Sequence, residues 1–190
     1  MESKNIMIVG VGGQGTLLAS KLLGRILLEN GYDVKVSEVH GMSQRGGSVV
    51  TYVRCGDKVY SPIIDKGEAD IIVSFELLEA VRWAEYLKEG GILLTNTQKI
   101  NPMPVITGTA EYPRALEQKL AALPIRLDAM DALGLALQAG SAKAVNLVLL
   151  GRLSRYFHFT DEQWQDAIEK SVPARFLELN KKAFALGKEA

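Results

Sequence analysis

A chain of 190 residues suffices for one domain of ordinary size and leaves little for a second. Twenty-two Lys+Arg balance twenty-two Asp+Glu, so the formal net charge is zero, which argues against a nucleic-acid partner or a polybasic membrane surface. Cys55 is the sole cysteine, which rules out an intramolecular disulfide and any cluster or zinc site that needs two or more thiolates from this chain.

In chain order, Ile6–Val9 is a continuous apolar run, as expected of a strand buried on both faces of a parallel sheet. It ends at Gly10-Val11-Gly12-Gly13-Gln14-Gly15, after which Leu18, Leu22 and Ile26 repeat at helical spacing until Asn30-Gly31 stops the helix. Val34–Ser37 alternates as a second strand, completing a β-turn-α-β unit. The stretch from His40 to Gly47 is glycine-rich, polar and irregular. Ser48–Arg54 alternates again, Cys55–Lys58 is turn material, and Val59–Ser61 returns, which predicts a hairpin and so a mixed sheet. Ala69–Ser74 is a further buried strand, followed by a helix over 76–86 that Gly90-Gly91 ends. Ile92–Asn96 is the next strand, Pro113 opens a short helix to about Leu123, and Pro124–Leu127 resembles a last strand. Beyond Met130 the periodicity is helical over 144–157, 161–170 and 174–186, with a capping box at Thr160 and Gln163. The expected fold is a three-layer α/β/α sandwich over residues 1–190, with a mostly parallel, Rossmann-like sheet, a β-hairpin and a helical C-terminal third. The apolar runs fall short of the roughly 20 residues that span a bilayer, and no apolar signal core follows Met1, so no membrane partner and a cytoplasmic location are expected.

Two segments carry the candidate chemistry. Gly10, Gly12 and Gly15 fit G-x-G-x-x-G between a strand and a helix, where glycines permit a tight turn and the helix N-terminus offers N–H groups to a phosphate. Glu38, 23 positions beyond Gly15, stands where an acid would meet the ribose of a dinucleotide. The second segment places Glu38, His40, Ser43, Gln44 and Arg45 close together, and both loops follow parallel strands, so both should leave the same sheet edge. The same glycines also serve simple close packing of a helix on a strand. No serine sits in a nucleophile elbow, His40 and His158 are the only histidines, and Cys55 lies in a turn with nothing to activate it. Neither a catalytic constellation nor a metal site is therefore expected in this chain.

Gly12-Gly13-Gln14-Gly15 together with Gly41-Met42-Ser43-Gln44-Arg45-Gly46-Gly47 resembles the gamma-type subunit or domain of the 2-oxoacid:ferredoxin oxidoreductases. Asn146 with Gly151, and Asn180 with Ala183, Phe184 and Gly187, match the same pattern further along, so the resemblance spans the chain. Length and free-standing form resemble the small subunits of the indolepyruvate branch. The resemblance implies the fold of domain III of the pyruvate enzymes and a complex that oxidatively decarboxylates a 2-oxoacid. In such a complex thiamine diphosphate and iron–sulfur clusters sit in larger partner subunits, electrons leave to ferredoxin, and the acyl group passes to coenzyme A. This chain would bind none of these cofactors alone and would be inactive alone. Gly12, Gly13, Gln14, Gly15, Ser43, Gln44 and Arg45 would then dock the larger subunit or contact the phosphates of coenzyme A. Two other readings stay open on the residues: a free-standing NAD(P)-binding oxidoreductase using Glu38, and a purely structural assembly module.

Overall fold

The computed structural model of the chain describes residues 3–39 and 46–190. Strand β1 (Lys4–Val11) lies inside a six-stranded sheet of order β2-β3-β1-β4-β5-β6. The remaining strands are β2 (Asp33–Glu38), β3 (Ser48–Gly56), β4 (Ala69–Ser74), β5 (Leu87–Asn96) and β6 (Arg126–Met130). β1, β4, β5 and β6 run parallel in turn, whereas β3 is antiparallel to both of its neighbours, β1 and β2. The sheet is mixed, as the sequence predicts.

The antiparallel partner differs from the expected one. The segment Val59–Ser61 is not a strand, and the N–H of Val59 instead donates to the Asp33 carboxylate at 2.9 Å. The reason is that β3 has no free edge: β1 occupies one side and β2 the other, so a returning strand has nothing to pair with. The hairpin-like pair is β2 with β3. A second difference concerns Gly90-Gly91, which does not end a helix. Helix α2 (Leu77–Trp83) closes in one 3-10 turn (Ala84–Tyr86), and β5 runs straight through the two glycines. Gly90 has φ +72°, and the β4–β5 register shifts between Ala69 and Ile71, so the pair forms a bulge.

Period-two alternation in the inner strands feeds two cores. Ile6 and Ile8 of β1, Val53, Ile71, Val73 and Leu94 face one side; Met7, Val9, Val50, Ile72 and Leu93 face the other. The first side is covered by α1 (Thr16–Glu29), α5 (Ala132–Ala139), α6 (Val145–Ser154), α7 (Asp161–Ser171) and α8 (Leu177–Glu189). The second is covered by α2 and the short α4 (Leu116–Ala121), with a single turn, α3 (Met103–Ile106), in the loop between. Helices α6 and α8 cross where each carries a glycine: a Cβ on Gly151 would run into the carbonyl of Phe184, and one on Gly187 into the carbonyl of Val148. Thr160 and Gln163 form the capping box that starts α7. Among the described residues no helix is long and apolar enough to cross a membrane.

Candidate functional site

The site lies at the carboxyl edge of the parallel strands, where β1 gives way to α1. Gly13 (φ +100°) and Gly15 (φ +87°) occupy the left-handed region that the tight turn requires, and Gly15 caps α1. Gln14 does not point outward. Its Oε1 accepts from the Val11 N–H at 2.8 Å and its Nε2 donates to the Phe75 carbonyl at 3.0 Å, strapping the turn to the end of β4. Asn96 Nδ2 donates to the same carbonyl at 3.1 Å, and Asn146 from α6 reaches the Gly15 carbonyl. The two glycine segments of the sequence do meet: the Gly12 N–H donates to the Gly47 carbonyl at 2.9 Å, and Val11 faces Ser48 in the β1–β3 register.

Three clefts surround this turn. One of about 320 Å³ lies between Gly12, Gly15 and Leu17 on one side and Glu38 and Val39 on the other. A second, about 360 Å³, lies toward Gln98 and Lys143. The third, about 430 Å³, opens between Gly46-Gly47-Ser48, Arg82 and the loop carrying Met103. Its wall holds two carboxyl groups that the sequence reading passes over. Glu76 is buried at the N-cap of α2, where Oε2 accepts from the Glu79 N–H (2.9 Å) and Oε1 from the Ile100 N–H (2.9 Å) and the Tyr112 hydroxyl (2.6 Å). Burial and that bond to Glu76 push the Tyr112 hydroxyl well above its ordinary range. Glu79 is also buried; it accepts a short hydrogen bond from the Ser48 hydroxyl and pairs with Arg82 at 3.3 Å. Burial pushes the Glu79 carboxyl up; Ser48 and Arg82 pull it back only partly, and the neighbouring Glu76 adds to the rise. Glu79 thus ties α2 to the residue that roots the glycine loop.

Gly12, Gly13, Gln14 and Gly15 therefore sit together at one edge, and their glycine loop is rooted beside them through Gly46, Gly47 and Ser48. His40, Ser43, Gln44 and Arg45 lie outside the described residues. Glu38 accepts from the Ser20 hydroxyl of α1 at 2.9 Å. The insertion of β3 sets β2 two strand spacings from β1, about 10 Å rather than about 5 Å. That differs from a dinucleotide-binding sheet, in which the acid-bearing strand adjoins the glycine turn. Asn180 is spent on the Phe176 carbonyl (2.8 Å) at the start of α8. Cys55, on β3, is buried in the core. Glu76 lies two residues beyond the end of β4, whose apolar run Ile71–Val73 marks it as a buried parallel strand, and so it emerges at this edge.

The fold is thus a mixed α/β sheet with a glycine turn at the carboxyl edge of its parallel strands. Residues 5–190 match the family of pyruvate ferredoxin/flavodoxin oxidoreductases, and the chain belongs to that family. It is 46% identical over its whole length to the indolepyruvate oxidoreductase subunit IorB of Thermococcus kodakarensis, covering 96% of that protein. It is 28% identical to the common gamma subunit of the pyruvate and ketoisovalerate oxidoreductases of the same organism, over 92% of this chain and 89% of that one. Among solved structures, it superposes on the pyruvate oxidoreductase subunit PORC from Thermotoga maritima with a TM-score of 0.76 at 26% identity, over 100% of this chain and 97% of that one.

Proposed function

We propose that this chain is the small subunit of an indolepyruvate ferredoxin oxidoreductase, acting within a complex whose larger subunits hold thiamine diphosphate and iron–sulfur clusters. The observation that carries the substrate is the contrast between 46% identity to an indolepyruvate subunit and 28% to a pyruvate/ketoisovalerate subunit. The residues here do not fit a cluster, since the one thiol is buried within the sheet, so no electron-transfer step runs through this chain. Its part is to complete the assembly, and the chain alone is inactive.

The docking surface is the carboxyl edge: the Gly12–Gly15 turn together with the loop containing Ser43, Gln44 and Arg45. Charge favours docking over coenzyme A as its main task. Among the described residues, Glu38, Glu76 and Glu79 stand around the clefts against Arg82 and Lys143, and Arg45 of the loop is one further cation, a poor field for a polyphosphate. Gln14 contributes by holding the turn in shape.

Anaerobic affinity purification of the tagged chain from its native cells tests the reading. The expected eluate contains larger subunits, iron and thiamine diphosphate, and reduces a viologen dye faster with indolepyruvate than with pyruvate, 2-oxoisovalerate or 2-oxoglutarate. A chain that is expressed but emerges alone overturns it; a complex that prefers pyruvate overturns the substrate. In the intact complex, replacing Gln44 and Arg45 should abolish assembly; assembly retained with a raised coenzyme A requirement would instead assign that loop to the ligand.

A further inference from the structure

Strand β2 is an edge. Among the described residues β3 is the only strand paired with it, so the backbone groups on its outer side face away from the sheet. Proteins that keep such an edge to themselves blunt it with proline, a bulge or unneutralised charge. β2 has no proline and pairs with β3 in unbroken register, and its one cation, Lys35, is neutralised by Asp33 at 2.6 Å. Apolar ground adjoins the edge. Val36 is 44% exposed and Leu28 of α1 is 59% exposed. Both line a groove of about 680 Å³ between α1 and β2, beside Gly24.

We infer that β2 pairs antiparallel with β2 of a second copy of this chain, joining the two six-stranded sheets into one across a twofold axis. Such isologous contacts are the commonest form of self-association. The pleat and the charges fix the register. Facing residues of an antiparallel pair point to the same side of the sheet, so Asp33, Lys35 and Ser37 can face only one another, as can Val34, Val36 and Glu38. Centring on Val34 sets Asp33 opposite the partner's Lys35 and Lys35 opposite the partner's Asp33. It also brings Val34 against its own copy and Val36 against the partner's Tyr32. Centring on Asp33 or Lys35 places like charges face to face, and centring on Val36 places Val34 against Glu38. Charge complementarity therefore selects the first register. The other edge lacks this match: Asp128 of β6 is spent on Arg152 and Tyr156, and no large apolar side chain on β6 is exposed. The contact is independent of docking at the carboxyl edge, because it uses the outer backbone of β2.

Sedimentation velocity on the full chain tests the inference. The wild type should sediment at twice its 20.7 kDa mass and dissociate on dilution. Asp33→Lys alone sets lysine against lysine, and Lys35→Asp alone sets aspartate against aspartate. Each should associate at least about a hundredfold more weakly. Mixing the two variants restores both opposite-charge pairs and should return the dimer, a rescue that a merely misfolded variant cannot give. Asp33 also accepts from Val59, so amide exchange of the wild-type chain supplies a second reading: protection along β2 should rise with protein concentration. A wild type that stays monomeric, a dimer that survives both substitutions, a mixture that fails to recover, or exchange along β2 that ignores concentration would each overturn it.

Discussion

Replacing Gln14 by alanine separates a residue that shapes the turn from one that touches a partner. Two hydrogen bonds are lost. The Val11 N–H, largely buried at the end of β1, is left without its acceptor, which costs about 1–3 kcal/mol. The Phe75 carbonyl keeps its bond from Asn96, so that half of the strap adds only about 0.5–1 kcal/mol. The sum is about 1.5–4 kcal/mol, and for a chain of this length that corresponds to a Tm lower by about 3–16 °C. Gln14→Glu preserves the acceptor for Val11 but turns a second oxygen toward the Phe75 carbonyl, so it should be destabilised to a similar degree. Thermal unfolding of the isolated subunit reads the loss directly. Titration onto the larger subunit well below the melting range should then show assembly recovered. An alanine variant that melts with the wild type yet fails to assemble would refute the strap and make Gln14 an interface residue.

Three further outcomes follow from the geometry. Glu76→Ala strands the Ile100 N–H, the Glu79 N–H and the Tyr112 hydroxyl together, and urea unfolding should register a loss of about 3–5 kcal/mol. Gly151→Ala drives a methyl into the backbone of α8; the crossing has to open, and the cost in the same assay should be about 3 kcal/mol. Protonation gives a third test through two carboxyls with opposite signs. Burial raises the Asp128 carboxyl, but hydrogen bonds from Arg152 and Tyr156 and the nearby cations outweigh it and hold the group below its ordinary 3.8. Its stabilisation is therefore present at neutral pH and is lost as pH falls below that value toward the folded-state pKa. Glu79 is the reverse case: its folded carboxyl lies above the ordinary 4.5, so stability falls as pH rises from there through the raised value. Asp128→Asn should flatten the acid limb of a urea-midpoint profile, and Glu79→Gln should flatten the decline above pH 4.5; unchanged slopes would contradict both assignments.

What the sequence discloses and what it withholds divides along the range of the interactions involved. β1 and β4 are legible because a strand buried on both faces must be apolar at every position, and Ile6–Val9 and Ile71–Val73 satisfy that locally. The capping box at Thr160 is equally local. The place of β3 is not local. Ser48–Arg54 reads as an alternating strand in any position, and only the competition for edges in the finished sheet decides that β1 and β2 take both sides of β3. The glycine turn shows the same division within one motif. Its glycines were readable, since positive φ at Gly13 and Gly15 is a backbone requirement. The role of Gln14 was not, because its donor bond ends on Phe75, sixty-one residues away. Glu76 and Glu79 escaped notice for a related reason: acids at the first turn of a helix are commonplace as caps. What sets them apart is burial by Tyr112, Ile100 and Ser48, each from a distant segment. Such a surface can be specific for a partner without any residue type that advertises chemistry, because its shape and charge arise from where distant segments meet.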